Sequence, residues 1–452
     1  MLFYIIHIFI IILFFAIWYY FHLENNKRLI YYNINTIKSE GNSFIINISI
    51  FAFLIRFLSM IIIMISFPEM YDIINTPYSA YDHLTYHTDA QSMASIWEGK
   101  YNPTTRLVYS DRYKGYPLFL SIVYYIFGPY YIYGAIFNNM FGVITIILTY
   151  KIGVLLYDEY TGRQGAFLLT IYPLHIYICS FTLKDPLLIL LITFIIYLML
   201  KINYNSYKLL NKLIVYLLIL TSCFIIFFMR QQTVFLILIV ILIYQGLYYR
   251  KNKKDILIIL PLIILLINVL IISSNTSSIN DIINNLINEN IIEYQQKKLI
   301  SMKSMRDDIF KNIYIIFGIL GYILPFPSLA LIDYYNSSQW QIESSIFIWN
   351  ILGGLSLLGI YYSIKNNWKT TWIIWSFPIL YFYSQLFFYP NAILDMRRSK
   401  LMIMPFVCIL AAYGLKNFKI KSRIIYFTIY IYLVLIGSIA YTYLRLKGHS
   451  IY

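Results

Sequence analysis

Asp89 is the residue from which chemistry is most readily built in this chain. It lies in YHTDAQSMASIWEGK, residues 86–100, a charged and amphipathic stretch within a mostly apolar sequence. Thr88 followed by Gln91 has the pattern of a capping box, a hydroxyl at the N-cap and an amide three residues on. Ala90, Met93, Ala94 and Trp97 recur at helical spacing, and Gly99 stands where a helix would stop. These signals predict a short helix over 89–98 with Asp89 in its first turn, where the positive helix end favours an ionised carboxylate. Such a carboxylate suits a general base; the plainer reading is that it helps the cap. Asp111 lies with Arg112 and Lys114 ahead of an aromatic entry into an apolar run, and Asp185 opens another run beside Lys184. Cations that suit phosphate recur at Arg397, Arg398 and Lys400, and at Arg230; lipid-headgroup anchoring is the plainer reading of the first three. His83 and His87, with Asp89 two residues further, have the spacing of a partial metal site. Two histidines at one spacing carry little, and the reading taken is interfacial side chains with no metal. Arg56 lies inside an apolar run, where a charge is costly unless solvated or paired. It reads as structural, paired with an acid that the sequence does not single out.

The elements that must position these groups are membrane spans. Of 452 residues, 60% are hydrophobic and 12% charged, against roughly 25% charged in soluble domains. Runs of about 20 apolar residues, enough to cross a bilayer core of roughly 30 Å, recur from end to end. Spans are predicted at 2–23, 43–67, 130–156, 163–182, 184–203, 212–229, 233–249, 255–273, 343–364, 370–389, 401–417 and 424–444. The predicted fold is therefore all-α, a polytopic transmembrane helix bundle of about 12 spans with a helical first outer loop. The alternating segments of a β-barrel are not seen. Leu2 to Leu23 lacks a basic leader region and a small-residue cleavage site, so it reads as a retained span. The apolar stretch 312–332 is broken by Pro325 to Pro327 and reads as re-entrant or interfacial. Three regions result: 1–42, an extra N-terminal span and turn; 43–273, a core with an outer loop at 68–115; and 274–452, an outer loop, the re-entrant segment and the C-terminal spans.

Charge orients the bundle. The short turns at Glu24–Glu40, Asp158–Arg163, Lys201–Lys212, Arg250–Asp255, Lys365–Lys369 and Lys416–Arg423 hold 17 Lys and Arg against 5 Asp and Glu. Short basic loops face the cytoplasm, which leaves the long loops 68–115 and 274–311 outside. The same distribution explains the net charge of +15 without nucleic acid, since no soluble face carries a basic stripe with interleaved aromatics. Cys179, Cys223 and Cys408 all fall in apolar runs, with neither disulfide nor zinc spacing, and read as small core hydrophobes.

Taken in order, several stretches resemble one family. They are Asp89 to Gly99, GYPLFL from Gly115, Tyr172-Pro173, Asp185-Pro186, FFMRQQTVF around Arg230, and MRRSKLMIMPFVCILAAYGL from Met396. They resemble the membrane glycosyltransferases of the GT-C fold, among them the dolichyl-phosphate-mannose–protein mannosyltransferases and the lipid A aminoarabinose transferases. Lys114 stands where that pattern usually has Pro, Ala90 where many members have a second acid, and Lys184-Asp185 where Ser/Thr-Glu is commoner. The resemblance implies transfer of a sugar from a polyprenyl-phosphate donor to a hydroxyl of a glycan, lipid or protein acceptor. It implies a multi-pass protein of the plasma (inner) membrane with its site on the outer face. Asp89 would be the base. Asp185 would position the acceptor or bind a divalent cation, the one cofactor considered, with Asp111 a third acid. Arg397, Arg398, Lys400, Arg230, Arg112 and Lys114 would gather the donor phosphate. The absence of a glycine-rich phosphate loop accords with a lipid-linked donor.

Two rivals belong to other classes. A polysaccharide polymerase or ligase of the O-antigen type uses a similar donor, but its large outer loop usually lies late in the chain, whereas the acid-bearing loop here is early. A transporter or flippase predicts inverted repeats and broken mid-membrane helices; the sequence has no repeat and few intramembrane charges.

Overall fold

The computed structural model describes residues 34–66, 82–100, 115–204, 209–248, 339–388 and 400–418, and single helical positions between 432 and 439. Among the described residues there are helices and no strands. They are α1 (Ile34–Ser66), α2 (Asp82–Trp97), α3 (Gly115–Phe127), α4 (Tyr131–Leu156), α5 (Glu159–Ile171), α6 (Pro173–Cys179), α7 (Asp185–Tyr204), α8 (Leu209–Met229), α9 (Gln231–Tyr248), α10 (Gln339–Phe388) and, after a 3-10 turn at Lys400–Ile403, α11 (Met404–Asn417). Five are long and apolar enough to cross a membrane, at Gly41–Ser66, Tyr131–Leu156, Asp185–Asn203, Asn211–Met229 and Lys400–Asn417; Gly115–Phe127 and Gln231–Gly246 are shorter apolar helices. The spans predicted at 2–23 and 255–273, the segment 312–332, and Asp111, Arg112, Lys114, Arg397 and Arg398 lie outside the described residues, as does nearly all of 424–444. The described residues form two compact units that divide between Val234 and Phe235.

In the first unit α1 shows how sequence selects a face. Ile48, Ala52, Arg56, Met60 and Ile63 are buried, while Ile46, Ile50, Leu54, Leu58, Ile62 and Ile65 are exposed. Both stripes follow helical spacing. An exposed stripe built of Ile and Leu, with Phe51 beside it, suits a lipid solvent and not water. α4 and α7 run side by side in one direction. Asn138 donates to Leu183 near their starts, and Lys151 lies over Tyr197 near their ends. At that second end Asp158 caps α5 by accepting from the Thr161 N–H at 2.9 Å. Glu159 there accepts from Arg163 and from the Tyr150 hydroxyl, both at 2.7 Å. Phe44 of α1 lies beneath the Arg163 guanidinium.

The single span predicted at 163–182 is instead two helices, α5 and α6, broken at Tyr172. Pro173 is the cause. It lacks an N–H and forces the preceding residue out of the helical region; Tyr172 has φ −69 and ψ 113. The break also accounts for Arg56, which is fully buried. The Leu169 carbonyl loses its partner four residues on, because that residue is Pro173. The Arg56 guanidinium supplies a donor at 3.4 Å, a second N–H bonds His175 Nδ1 at 2.7 Å, and a third reaches Ala52 O at 3.0 Å. The predicted acidic partner is thus replaced by the negative end of α5, to which a cation is attracted.

In the second unit the spans predicted at 343–364 and 370–389 appear as the two halves of α10, joined across a kink at Asn367 within the predicted turn. α11 crosses α10 at two glycines. A Cβ at Gly359 would lie 2.0 Å from the Leu410 carbonyl oxygen, and one at Gly414 would lie 2.2 Å from that of Leu355. Backbone therefore packs on backbone, as small residues allow in membrane helix pairs.

Candidate active site

The helix that carries Asp89 is longer than its local signals imply. α2 begins at Asp82, so Thr88 lies in its interior and not at an N-cap. The Thr88 hydroxyl donates back to the Leu84 and Thr85 carbonyls. The Gln91 amide donates instead to Pro129 O at 3.0 Å, at the turn between α3 and α4. The capping-box reading is therefore corrected, and with it the placement of Asp89 in a first turn. The C-terminal signal holds. Gly99 has φ +73, Gly99 N–H reaches Ile96 O, and Lys100 N–H reaches Ser95 O, which is a Schellman motif.

α2 turns a polar face inward. His83, Thr85, Tyr86, His87 and Asp89 are all buried, with Asp89 only 1% exposed. Neighbouring elements pin this face. Thr182 Oγ1 donates to His83 O at 2.8 Å, while its own N–H bonds the Tyr131 hydroxyl at 3.0 Å. The His83 ring lies 4.7 Å from that of Phe181. Tyr86 meets the Tyr116 ring edge-on at 5.4 Å, and Lys184 Nζ lies 5.8 Å from the Tyr86 ring centre. Asn138 donates to both Phe181 O and Leu183 O, at 2.6 and 2.8 Å, and so fixes the 180–184 connection that presents Lys184 and Asp185. The buried Tyr116 hydroxyl is within electrostatic reach of Asp185 and lies beside Asn138. Asp185 itself is 3% exposed.

Arg230 occupies the break between α8 and α9, where its carbonyl accepts from the Thr233 N–H. The start of α3 abuts the same place. A Cβ at Gly115 would lie 2.9 Å from Phe228 and 3.0 Å from Met229, so the helix that carries Tyr116 packs against the residues just before Arg230. The first unit thus gathers Asp89, Lys184, Asp185 and Arg230 at one end. Arg163, Lys151 and Lys201 lie at the other. Lys400 belongs to the second unit and is buried over Trp349; the remaining predicted cations and Asp111 lie outside the described residues. Local signals missed Tyr116, Asn138 and Thr182. For Asn138 a usable signal existed, a polar Asn-Asn pair inside an otherwise apolar run.

Asp89 and Asp185 are both buried carboxylates, and a positioned carboxylate can accept a proton from a bound hydroxyl. Among the described residues no group of three or more His, Cys, Asp or Glu side chains is placed to hold a metal ion. No step of the proposed reaction is routed through a divalent cation. His87 is committed elsewhere: its Nδ1 is paired with the Tyr124 hydroxyl at 2.5 Å, and its ring lies against Tyr131.

His87 also makes the packing of α2 sensitive to acid. Burial, and secondarily His83, pushes its imidazole from the usual 6.5 down to about 4. It is neutral in the fold, whereas the unfolded chain takes up a proton below about pH 6.5. Stability is therefore full above that pH and falls as pH drops toward 4, by about 3 kcal/mol in all. Melting curves of wild type and His87→Gln between pH 7.5 and 4.5 check this. The variant is expected to lose stability less steeply, and parallel curves would remove His87 as the cause.

No protein-family model matches the sequence, and no curated protein matches it.

Proposed function

We propose that the protein is a membrane glycosyltransferase of the GT-C type, with about 12 spans in a plasma (inner) membrane and its site on the outer face. It moves a sugar from a polyprenyl-phosphate donor to an acceptor hydroxyl. Asp89 takes the hydroxyl proton as the acceptor oxygen bonds to the anomeric carbon. The bond from that carbon to the phosphate oxygen breaks, and its electrons leave with the polyprenyl phosphate. Asp185 orients the acceptor. Lys184 and Arg230 offset charge on the leaving phosphate; Arg397, Arg398, Lys400, Arg112 and Lys114 are the further phosphate cations that the resemblance implies. Asp111 is the reserve acid.

The observation that supports this reading most is the gathering of Asp89, Lys184 and Asp185, from distant parts of the sequence, at the end of the first unit away from Arg163 and Lys201. Acid and cation together at that end suit a reaction that deprotonates a hydroxyl and releases a phosphate. The direct test is transfer of label from a polyprenyl-phosphate sugar by the purified protein in liposomes. No transfer across hexose donors would overturn the reading.

Orientation is tested separately. All three native cysteines are buried, so background labelling is low. A cysteine at exposed Lys100 is expected to react with an impermeant thiol reagent added to intact cells, and one at Ser422 is not. The reverse pattern would put the Asp89 end in the cytoplasm, where a lipid-linked donor is not needed.

A further inference from the structure

We propose that Lys151 of α4, with Tyr197 and Lys201 of α7, binds the phosphate headgroup of an anionic phospholipid at the Arg163 end of the first unit. Lys151 Nζ lies 5.9 Å, and Lys201 Nζ 5.8 Å, from the centre of the one Tyr197 ring. Either ammonium alone would make the cation–π contact; two drawn to the same ring repel each other. Among the described residues neither makes an ion pair or a hydrogen bond. The acids at that end are engaged elsewhere. Glu159 holds Arg163 and the Tyr150 hydroxyl, and Asp158 caps α5. Lys151, Tyr197 and Lys201 are all half-buried, so water screens the two charges only in part. A phosphate diester offsets them: its negative charge is shared over two oxygens, which both ammoniums and the Tyr197 hydroxyl can meet as donors.

The surface that leads to the lysines makes the occupant a lipid. On α4, Lys151 continues a stripe of Met140, Ile144 and Ile147 at helical spacing, with Met140 45% and Ile144 43% exposed. On α7, Tyr197 and Lys201 continue a half-buried stripe of Leu190 and Phe194 at the same spacing. The two helices run side by side in one direction, and the reach of Lys151 to Tyr197 shows that the stripes border each other at this end. Neither stripe has a polar side chain before the tyrosine. An acyl chain can therefore lie along them while its headgroup meets the lysines. Tyrosine and lysine at the end of a span belong at the membrane interface, and basic pockets between spans on the cytoplasmic side suit anionic headgroups. The short basic turns assign this end to the cytoplasm. The place lies at the opposite end of the unit from Asp89 and does not depend on the proposed reaction.

The test reads the melting temperature of the purified full chain in detergent, with no sugar donor present. The probes are phosphatidylglycerol, phosphatidylcholine with the same acyl chains, and glycerol 3-phosphate. Phosphatidylglycerol is expected to raise the melting temperature of the wild type, and the other two are not. Lys151→Gln together with Lys201→Gln is expected to raise the phosphatidylglycerol concentration needed for half the effect by about tenfold. Lys151→Gln alone, the milder change, is expected to raise it several-fold, while Lys151→Arg with Lys201→Arg keeps both charges and the wild-type response. Lys365→Gln with Lys369→Gln removes the same charge from exposed positions of another basic turn and is expected to leave the response unchanged. A wild-type response in the Lys151 and Lys201 glutamine variants would overturn the site. So would an equal loss in the Lys365 and Lys369 pair, which would mean diffuse surface charge, or an equal effect of glycerol 3-phosphate, which would mean a soluble phosphate ester.

Discussion

Asp89→Asn is expected to lower sugar transfer by about 10²–10⁴-fold, the usual contribution of a positioned base, with little change in stability. Asp89 is 1% exposed on the inward face of α2, so its carboxylate serves the interior of the unit and not the surface. Asn has the same shape and can still accept hydrogen bonds, but it cannot take up a proton at neutral pH. The helix around it has its own supports: Thr182 bonded to His83 O, Gln91 bonded to Pro129 O, and the Schellman close at Gly99. The melting temperature and the binding of the lipid donor should therefore stay close to wild type. Thr88→Ala is the matched control. A threonine at an N-cap would cost about 0.5–2 kcal/mol on removal; an interior hydroxyl that bonds back to its own helix costs far less, and activity should persist. Purified Asp89→Asn protein that transfers sugar at the wild-type rate would remove Asp89 from the mechanism. Asp185 and Asp111 would then be the acids to replace.

The contrast between Thr88 and Gly99 shows what was legible in the sequence. A left-handed helix stop needs glycine for local reasons, so Gly99 could be read correctly from a few residues. The helix start could not. Six residues before Thr88 also favour helix, because Leu84, Tyr86 and their neighbours are buried against α3 and the 180–184 connection, and tertiary burial overrides a local capping pattern. Long apolar runs were likewise legible: the predictions at 43–67, 130–156, 184–203 and 212–229 each meet a helix long enough to span. The prediction at 163–182 failed for a reason present in the sequence, Pro173, which breaks a helix even inside an apolar run. Pairings across the fold were not legible at all. Nothing local says that Asn138 holds the Phe181 and Leu183 carbonyls, or that Tyr86 lies between Lys184 and Tyr116. Of the turns that the charge reading groups together, those of Arg163 and Lys201 do lie at one end of the first unit, where Lys151 and Lys201 both approach Tyr197.

Arg56→Met is expected to destabilise the first unit by about 2–4 kcal/mol, since two buried acceptors would be left unpaired at about 1–3 kcal/mol each. Opposing this is the relief of desolvation when a buried charge is replaced by an apolar side chain of similar length, which in other settings is neutral or favourable. The geometry decides between them. Arg56 is not one half of a carboxylate pair whose removal would strand a charge. Its guanidinium bonds the Leu169 carbonyl, which Pro173 leaves without a donor, and His175 Nδ1 at the start of α6. Methionine satisfies neither. The cause can be isolated by a second change. Pro173→Ala restores an N–H four residues after Leu169 and lets Tyr172 return to helical geometry. In the Arg56→Met background it should recover part of the lost stability, whereas alone it should gain little, because Arg56 already serves that carbonyl. Unfolding of the two single variants and the double variant measures this coupling. If Arg56→Met melts with wild type, or if the two changes are additive, the arginine does not pin the break between α5 and α6. A coupling near the cost of one buried hydrogen bond would explain why an uncompensated charge is kept inside a membrane span: it closes the gap that a proline opens.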